Sequence, residues 1–187
     1  MKLSVKPGSL MLAIVAVAGC GGCNKYNPAG GPGASGEATN AASAQPSLED
    51  LLPKNAQPKL PTIKVWVGAE ELITEMALTS PQQMTGMMWR TNMPDNTAMI
   101  FVHSTPRQAG YWMKNCYVPL SIAYIDTDGA ILEIHDLQPH DTNSAVSAST
   151  NVRFALETPQ GWFQRHNVNP GAVVRTERGT LMETFFR

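Results

Sequence analysis

Beyond residue 61 the chain alternates apolar and polar positions in short runs, and the runs break at turn-forming residues. In "IKVWV", Ile63, Val65 and Val67 share one face of a period-two strand. "LITEMAL" follows after Gly68 and a Glu70-Glu71 pair, so the first two strands are expected to form a hairpin. "AMIFV" is a continuous apolar run, as in a strand buried on both faces, and "AGYWM" is a further candidate strand. The clearest pair is "LSIAYIDTDGAILEIHDL", in which two alternating strands flank Asp128-Gly129, a strong short-range hairpin signal. "VRFALET", "AVVRT" and "LMETFF" provide the remaining strands.

Two stretches leave this period. In "TSPQQMTGMMWR", Ser80 suits a helix N-cap and Pro81 the first helical position, while Met84, Met87 and Met88 recur at helical spacing. Gly86 within that pattern predicts a short or irregular helix. "TPQGWFQRHNVNPG" repeats the grammar, with Thr158 as cap, Pro159 at the first position and Asn169-Pro170-Gly171 as a turn. Seven to nine short strands with two short helices predict an α+β domain. Its sheet should be mixed but mainly antiparallel, or curl into a small β-barrel-like domain.

The first third of the chain reads differently. Lys2 and Lys6 precede an apolar run from Leu10 to Ala18, then Gly19-Cys20, which is the order of a secretory signal. That run is shorter than the ~20 residues a spanning helix needs. "VAGC" resembles the lipobox of bacterial lipoproteins, which implies a lipid-modified Cys20 and a membrane partner through its acyl chains. Residues 21–61 have no apolar period and are rich in Gly, Ala and Pro, as in a flexible tether. Within them "SLEDLLP" could form one helical turn with Ser47 as its cap. The expected organisation is a signal peptide over 1–20, a tether over 21–61 and one globular domain over 62–187. The predicted location is the cell envelope, on the extracytoplasmic side.

Charge narrows the function classes. Formal net charge is −1 over 187 residues, and residues 62–187 carry 9 Lys and Arg against 12 Asp and Glu. No basic excess argues for nucleic acid. No phosphate-cradling Gly loop, nucleotide fingerprint or Ser-His-Asp order is present, so no cofactor is expected.

A longer pattern carries a resemblance. A G-L-M-x-R segment is met by Gly86, Met87, Met88 and Arg90, and a G-M-L-F segment by Met99 and Phe101. An F-W-M-K-N-T-x-x-P-L-D-I segment is met by Trp112, Met113, Lys114, Asn115, Pro119, Leu120 and Ile122. An L-E-x-x-x-G-W segment is met by Leu156, Glu157, Gly161 and Trp162. In this order and spacing the chain resembles the domain of unknown function 192 family, the uncharacterised ACR family. The resemblance implies a mixed-β domain, usually secreted or membrane-anchored in bacteria, and no stated activity. Cys116 stands where the family usually has Thr, and Ser121 where it usually has Asp.

Three groups are candidates for chemistry. Cys116, two residues from Lys114, reads as a thiol nucleophile or redox centre, as a small half-buried side chain, or as a disulfide partner of Cys23. Glu133, His135, Asp136, His140 and Asp141 in "EIHDLQPHD" are metal-ligand types, but Pro139 interrupts them and no metal is expected. Arg90, Trp112, Lys114 and Asn115, with Trp89 and Trp162, are the aromatic and cationic set of a ligand-binding surface, or else core and structural ion pairs. The leading reading is a non-enzymatic binding or accessory module for an undetermined ligand or protein partner. The second is a hydrolase or redox enzyme with a site around Lys114 and Cys116.

Overall fold

The computed structural model describes residues 47–187. Its elements run α1 (Leu48–Leu51), β1 (Thr62–Val67), β2 (Glu70–Ala77), α2 (Ser80–Thr85), β3 (Thr97–Arg107), β4 (Gly110–Tyr111) and β5 (Leu120–Ile125). They continue β6 (Ile131–Leu137), β7 (Ala145–Val146), β8 (Val152–Pro159), α3 (Trp162–Arg165), β9 (Val174–Thr176), β10 (Gly179–Thr180) and α4 (Leu181–Phe185). Eight strands form one sheet in the order β10-β9-β1-β2-β3-β8-β5-β6, and β4 pairs with β7 apart from it. The β2–β3 pair is parallel, with α2 as its crossover, and the other pairs in the sheet are antiparallel. The fold is therefore α+β and β-rich, as the periodicity predicts.

The Asp128-Gly129 signal is met by the β5–β6 hairpin, whose register places Ile125 opposite Ile131. Gly129 has φ 84°, and a Cβ there would lie 2.7 Å from the Val174 carbonyl oxygen. Only glycine fits both the turn and that approach. The same hairpin reaches the segment before β9 through an Ala130–Val173 bridge and through Val174 N–H donating to Gly129 O at 2.8 Å. The sheet thus curls until its far parts meet at one end, without closing as a barrel.

Alternation divides the side chains between two cores. β3 sends Met99 and Phe101 to the first and Ala98 and Ile100 to the second. β8 sends Phe154 and Leu156 to the second core, with Trp162, Phe163 and Leu181. Met87, Met88, Met113, Cys116, Leu120, Ile122 and Tyr124 fill the first, beneath the connections 86–93 and 112–119.

Several expectations are corrected. "LMETFF" is the helix α4, because Thr180 and Glu183 form a reciprocal capping box that overrides the short alternation. In "AGYWM" only Gly110 and Tyr111 pair, since the backbone turns at Asn115, where φ is 59°. Thr158-Pro159 does not open a helix. β8 runs through Pro159, and α3 begins after Gly161. Thr79, not Ser80, caps α2, and two further short helices, α1 and α4, join the two predicted.

The domain also begins earlier than residue 62. Ser47 caps α1, and Leu52 and Leu60 are buried in the first core. Trp89 Nε1 donates to Pro53 O at 2.9 Å, and Gln57 Nε2 donates to Gly86 O at 2.9 Å and Gln82 O at 3.1 Å. Residues 47–61 form a strap across the loops, with two leucines too far apart to register as a periodic element. Cys20 and Cys23 lie outside the described residues.

Candidate functional site

The connection from α2 to β3 starts with a forced turn. Gly86, at φ 47°, donates its N–H to Gln82 O and ends α2, after which Met87 and Met88 turn inward and are buried. Trp89 then donates its N–H to Asn115 O at 2.7 Å, joining this loop to the β4–β5 loop. Asn115 tolerates the left-handed backbone that presents this carbonyl. Trp112, Lys114, Asn115, Trp89 and Arg90 thus come from two loops that are bonded to each other, as a binding surface would require.

Each of these residues has an internal partner. Arg90 grips Glu75 with two hydrogen bonds, Nη1 to Oε1 at 2.5 Å and Nη2 to Oε2 at 2.8 Å. Leu60 N–H adds a third at 2.7 Å to Glu75 Oε2. Burial pushes the Glu75 carboxyl up, but the bonds from Arg90 and Leu60 and the Arg90 charge outweigh it and hold it below its ordinary value. Arg90 also lines a cleft of about 240 Å³ with Lys59, Asn92 and Met93. Lys114 Nζ lies 5.7 Å from the centre of the Trp112 ring and pairs with Glu49 of the strap. Its side chain is 19% exposed. Trp162 does not join this group: it packs in the second core and stacks on His166, with ring centres 4.5 Å apart.

Behind the two loops is a cavity of about 40 Å³, lined by Met84, Gly86, Met87, Met88, Phe101, Tyr111, Trp112, Cys116 and Glu157, with Gln83 and Thr85. Glu157 is 4% exposed, and its Oε2 has no hydrogen-bond partner among the described residues. Burial pushes its carboxyl up to about 8. Cys116 has no disulfide partner among the described residues; it is also 4% exposed, and burial, reinforced by Glu157, pushes its thiol up to about 12. At neutral pH both groups are thus protonated, and the thiol is far from the low-pKa setting of a nucleophile. Tyr111 is raised as well, by burial first and then by Glu157.

Trp112 and Cys116, which the sequence places in separate candidate groups, both line this cavity, and Glu157 beside them was not among those candidates. The signal was present. "VRFALET" reads as a strand with apolar residues on both faces, so a carboxylate inside it has to be buried or explained.

The acid and imidazole residues of "EIHDLQPHD" are dispersed among separate partners. His135 Nε2 and Glu133 Oε2 are 2.8 Å apart, and Glu133 Oε1 accepts from the N–H groups of Ala148 and Ser149. Asp136 accepts from Ser121, Asp141 accepts from Asn143 N–H, and His140 packs edge-on to Tyr117. Among the described residues no three His, Cys, Asp or Glu side chains converge as metal ligands.

Fold and site together define a β-rich domain with a two-loop face and a buried carboxyl behind it. Residues 63–176 match the family DUF192, uncharacterised ACR, and the chain belongs to that family. A crystal structure of a candidate transcription regulator from Sinorhizobium meliloti 1021 is similar, with 29% identity and a TM-score of 0.61, covering 65% of this chain and 98% of that one. A protein of unknown function from Novosphingobium aromaticivorans DSM 12444 is 30% identical, with a TM-score of 0.60, covering 64% of this chain and 90% of that one. No curated protein matches.

Proposed function

We propose that this protein is a lipoprotein of the bacterial cell envelope, anchored through Cys20, whose domain binds a small ligand in the cavity at Glu157 without catalysing a reaction on it. The observation that carries the binding reading is the Glu157 carboxyl, buried with an oxygen unpaired. Burying such a group costs about 1–3 kcal/mol in proteins, a cost that a bound partner would offset. Trp112 lines the cavity, and the neighbouring Lys114 pairs with Glu49 of the strap. The competing reading, a hydrolase or redox enzyme around Lys114 and Cys116, is weakened by the protonated thiol and by the lysine's ion pair. The regulator description of the Sinorhizobium protein is not extended to this chain, because residues 62–187 have fewer Lys and Arg than Asp and Glu.

Native mass spectrometry tests the binding reading on the full chain extracted from membranes in mild detergent. Wild type should carry a mass above that of the denatured chain, and Glu157→Gln should lose it while remaining folded by circular dichroism. The same added mass on both proteins, or none on wild type, would reject Glu157 as the binding group.

A further inference from the structure

The Glu157 cavity is rich in sulfur. Met84 of α2, Met87 and Met88 after the turn at Gly86, and Cys116 from the other loop all line it. A space of about 40 Å³ admits a single ion or one or two waters and excludes an organic molecule of ordinary size. We propose that this cavity is a site for one soft monovalent metal cation, of the Cu(I) or Ag(I) class, bound by the Cys116 thiolate and the thioethers of the α2 turn, with Glu157 facing it. The proposal rests on the reading of this cavity as the binding site and names its occupant.

Softness supports the choice of ion. Thioether and thiolate sulfur select Cu(I), whereas oxygen-seeking ions such as Mg²⁺ or Ca²⁺ gain little from them. Charge supports it independently. Binding proceeds as Cys–SH + M⁺ → Cys–S–M + H⁺: the S–H bond breaks, the S–M bond forms, the proton leaves to solvent and no electron is transferred. The Cys–S–M unit so formed carries no net charge. A divalent ion on the same single thiolate would leave one positive charge, and an uncompensated buried charge is strongly unfavourable. Met84 is 52% exposed and marks the open side of the wall, whereas Met87 and Met88 are buried beneath it.

The test uses the full chain with Cys23→Ser, reduced, titrated with Cu(I) against a chromophoric Cu(I) chelator, with proton release followed in weak buffer. The expected result is one Cu(I) per chain, at least one proton released, and no comparable uptake of Zn²⁺. Cys116→Thr should weaken Cu(I) binding by roughly 100-fold, and the near-isosteric Met88→Leu by roughly 10-fold with an unchanged melt. Should Cys116→Thr fail to fold, Met88→Leu and the proton count decide. Equal Cu(I) binding by wild type and Cys116→Thr, or Zn²⁺ bound as tightly as Cu(I), would overturn the proposal. A Glu157-dependent added mass that survives removal of all metal would overturn it while leaving the binding reading in place, and loss of both would reject the two together.

Discussion

At the scale of single residues, Glu157 gives the domain a pH-dependent contribution to stability. Burial pushes its folded-state carboxyl to about 8, against 4.5 for an unperturbed glutamate. The folded protein therefore keeps a proton that the unfolded chain releases between those values. The contribution to stability is complete below pH 4.5 and is lost as pH rises to 8. The slope is roughly 1.4 kcal/mol per pH unit where one proton separates the two states. Glu157→Gln keeps the shape and removes the titration. The difference in unfolding free energy between variant and wild type, measured with denaturant from pH 5 to 8, should widen steadily in the variant's favour. A constant difference would show that Glu157 does not titrate there. His103 acts in the opposite direction over an overlapping range: burial, with Arg107 and Arg153, lowers it to about 4, so its contribution is present above 6.5 and lost on acidification through 4. The charges of the site were legible in the sequence, but their partners were not. Arg90 finds Glu75 and Lys114 finds Glu49 across intervening elements, and no local pattern encodes such a pairing.

At the scale of elements, short-range chemistry was the most legible. The β1–β2 and β5–β6 hairpins follow from alternation and their turns, and Ser47 caps α1 as its sequence suggests. Alternation misassigned α4, because five residues cannot separate a period of two from one of 3.6 when a capping box decides. The strap was the larger omission. Its composition is that of a tether, and its order derives from Leu52, Leu60, Gln57 and the Pro53 carbonyl, all of which bind distant residues. A chain starting at Thr62 should therefore melt at a lower temperature than one starting at Ser47, because the first core loses two leucines. Leu60→Ala alone should cost about 2–4 kcal/mol in denaturant unfolding. Equal stability of the two chains would mean that the strap contributes no net binding energy to the domain.

At the scale of the whole molecule, the envelope reading predicts that Cys20→Ala moves the protein from the membrane fraction to the soluble fraction and abolishes incorporation of labelled fatty acid. Soluble, unlabelled wild type would reject it. Domain-level order was only partly legible, since strand count and class follow from pattern while strand neighbours do not. β1 pairs on one side with β2, next in sequence, and on the other with β9, Val65 opposite Thr176.

That last pairing has a consequence for the order in which the chain can fold. Val65 and Thr176 are about 110 residues apart, so the sheet cannot be completed until nearly the whole chain has been made. Pairing between such distant segments is slow, because the entropy of closing the long loop is lost before any contact compensates for it. At synthesis of about 5–20 residues per second, the N-terminal hairpin spends seconds without the strand that flanks it.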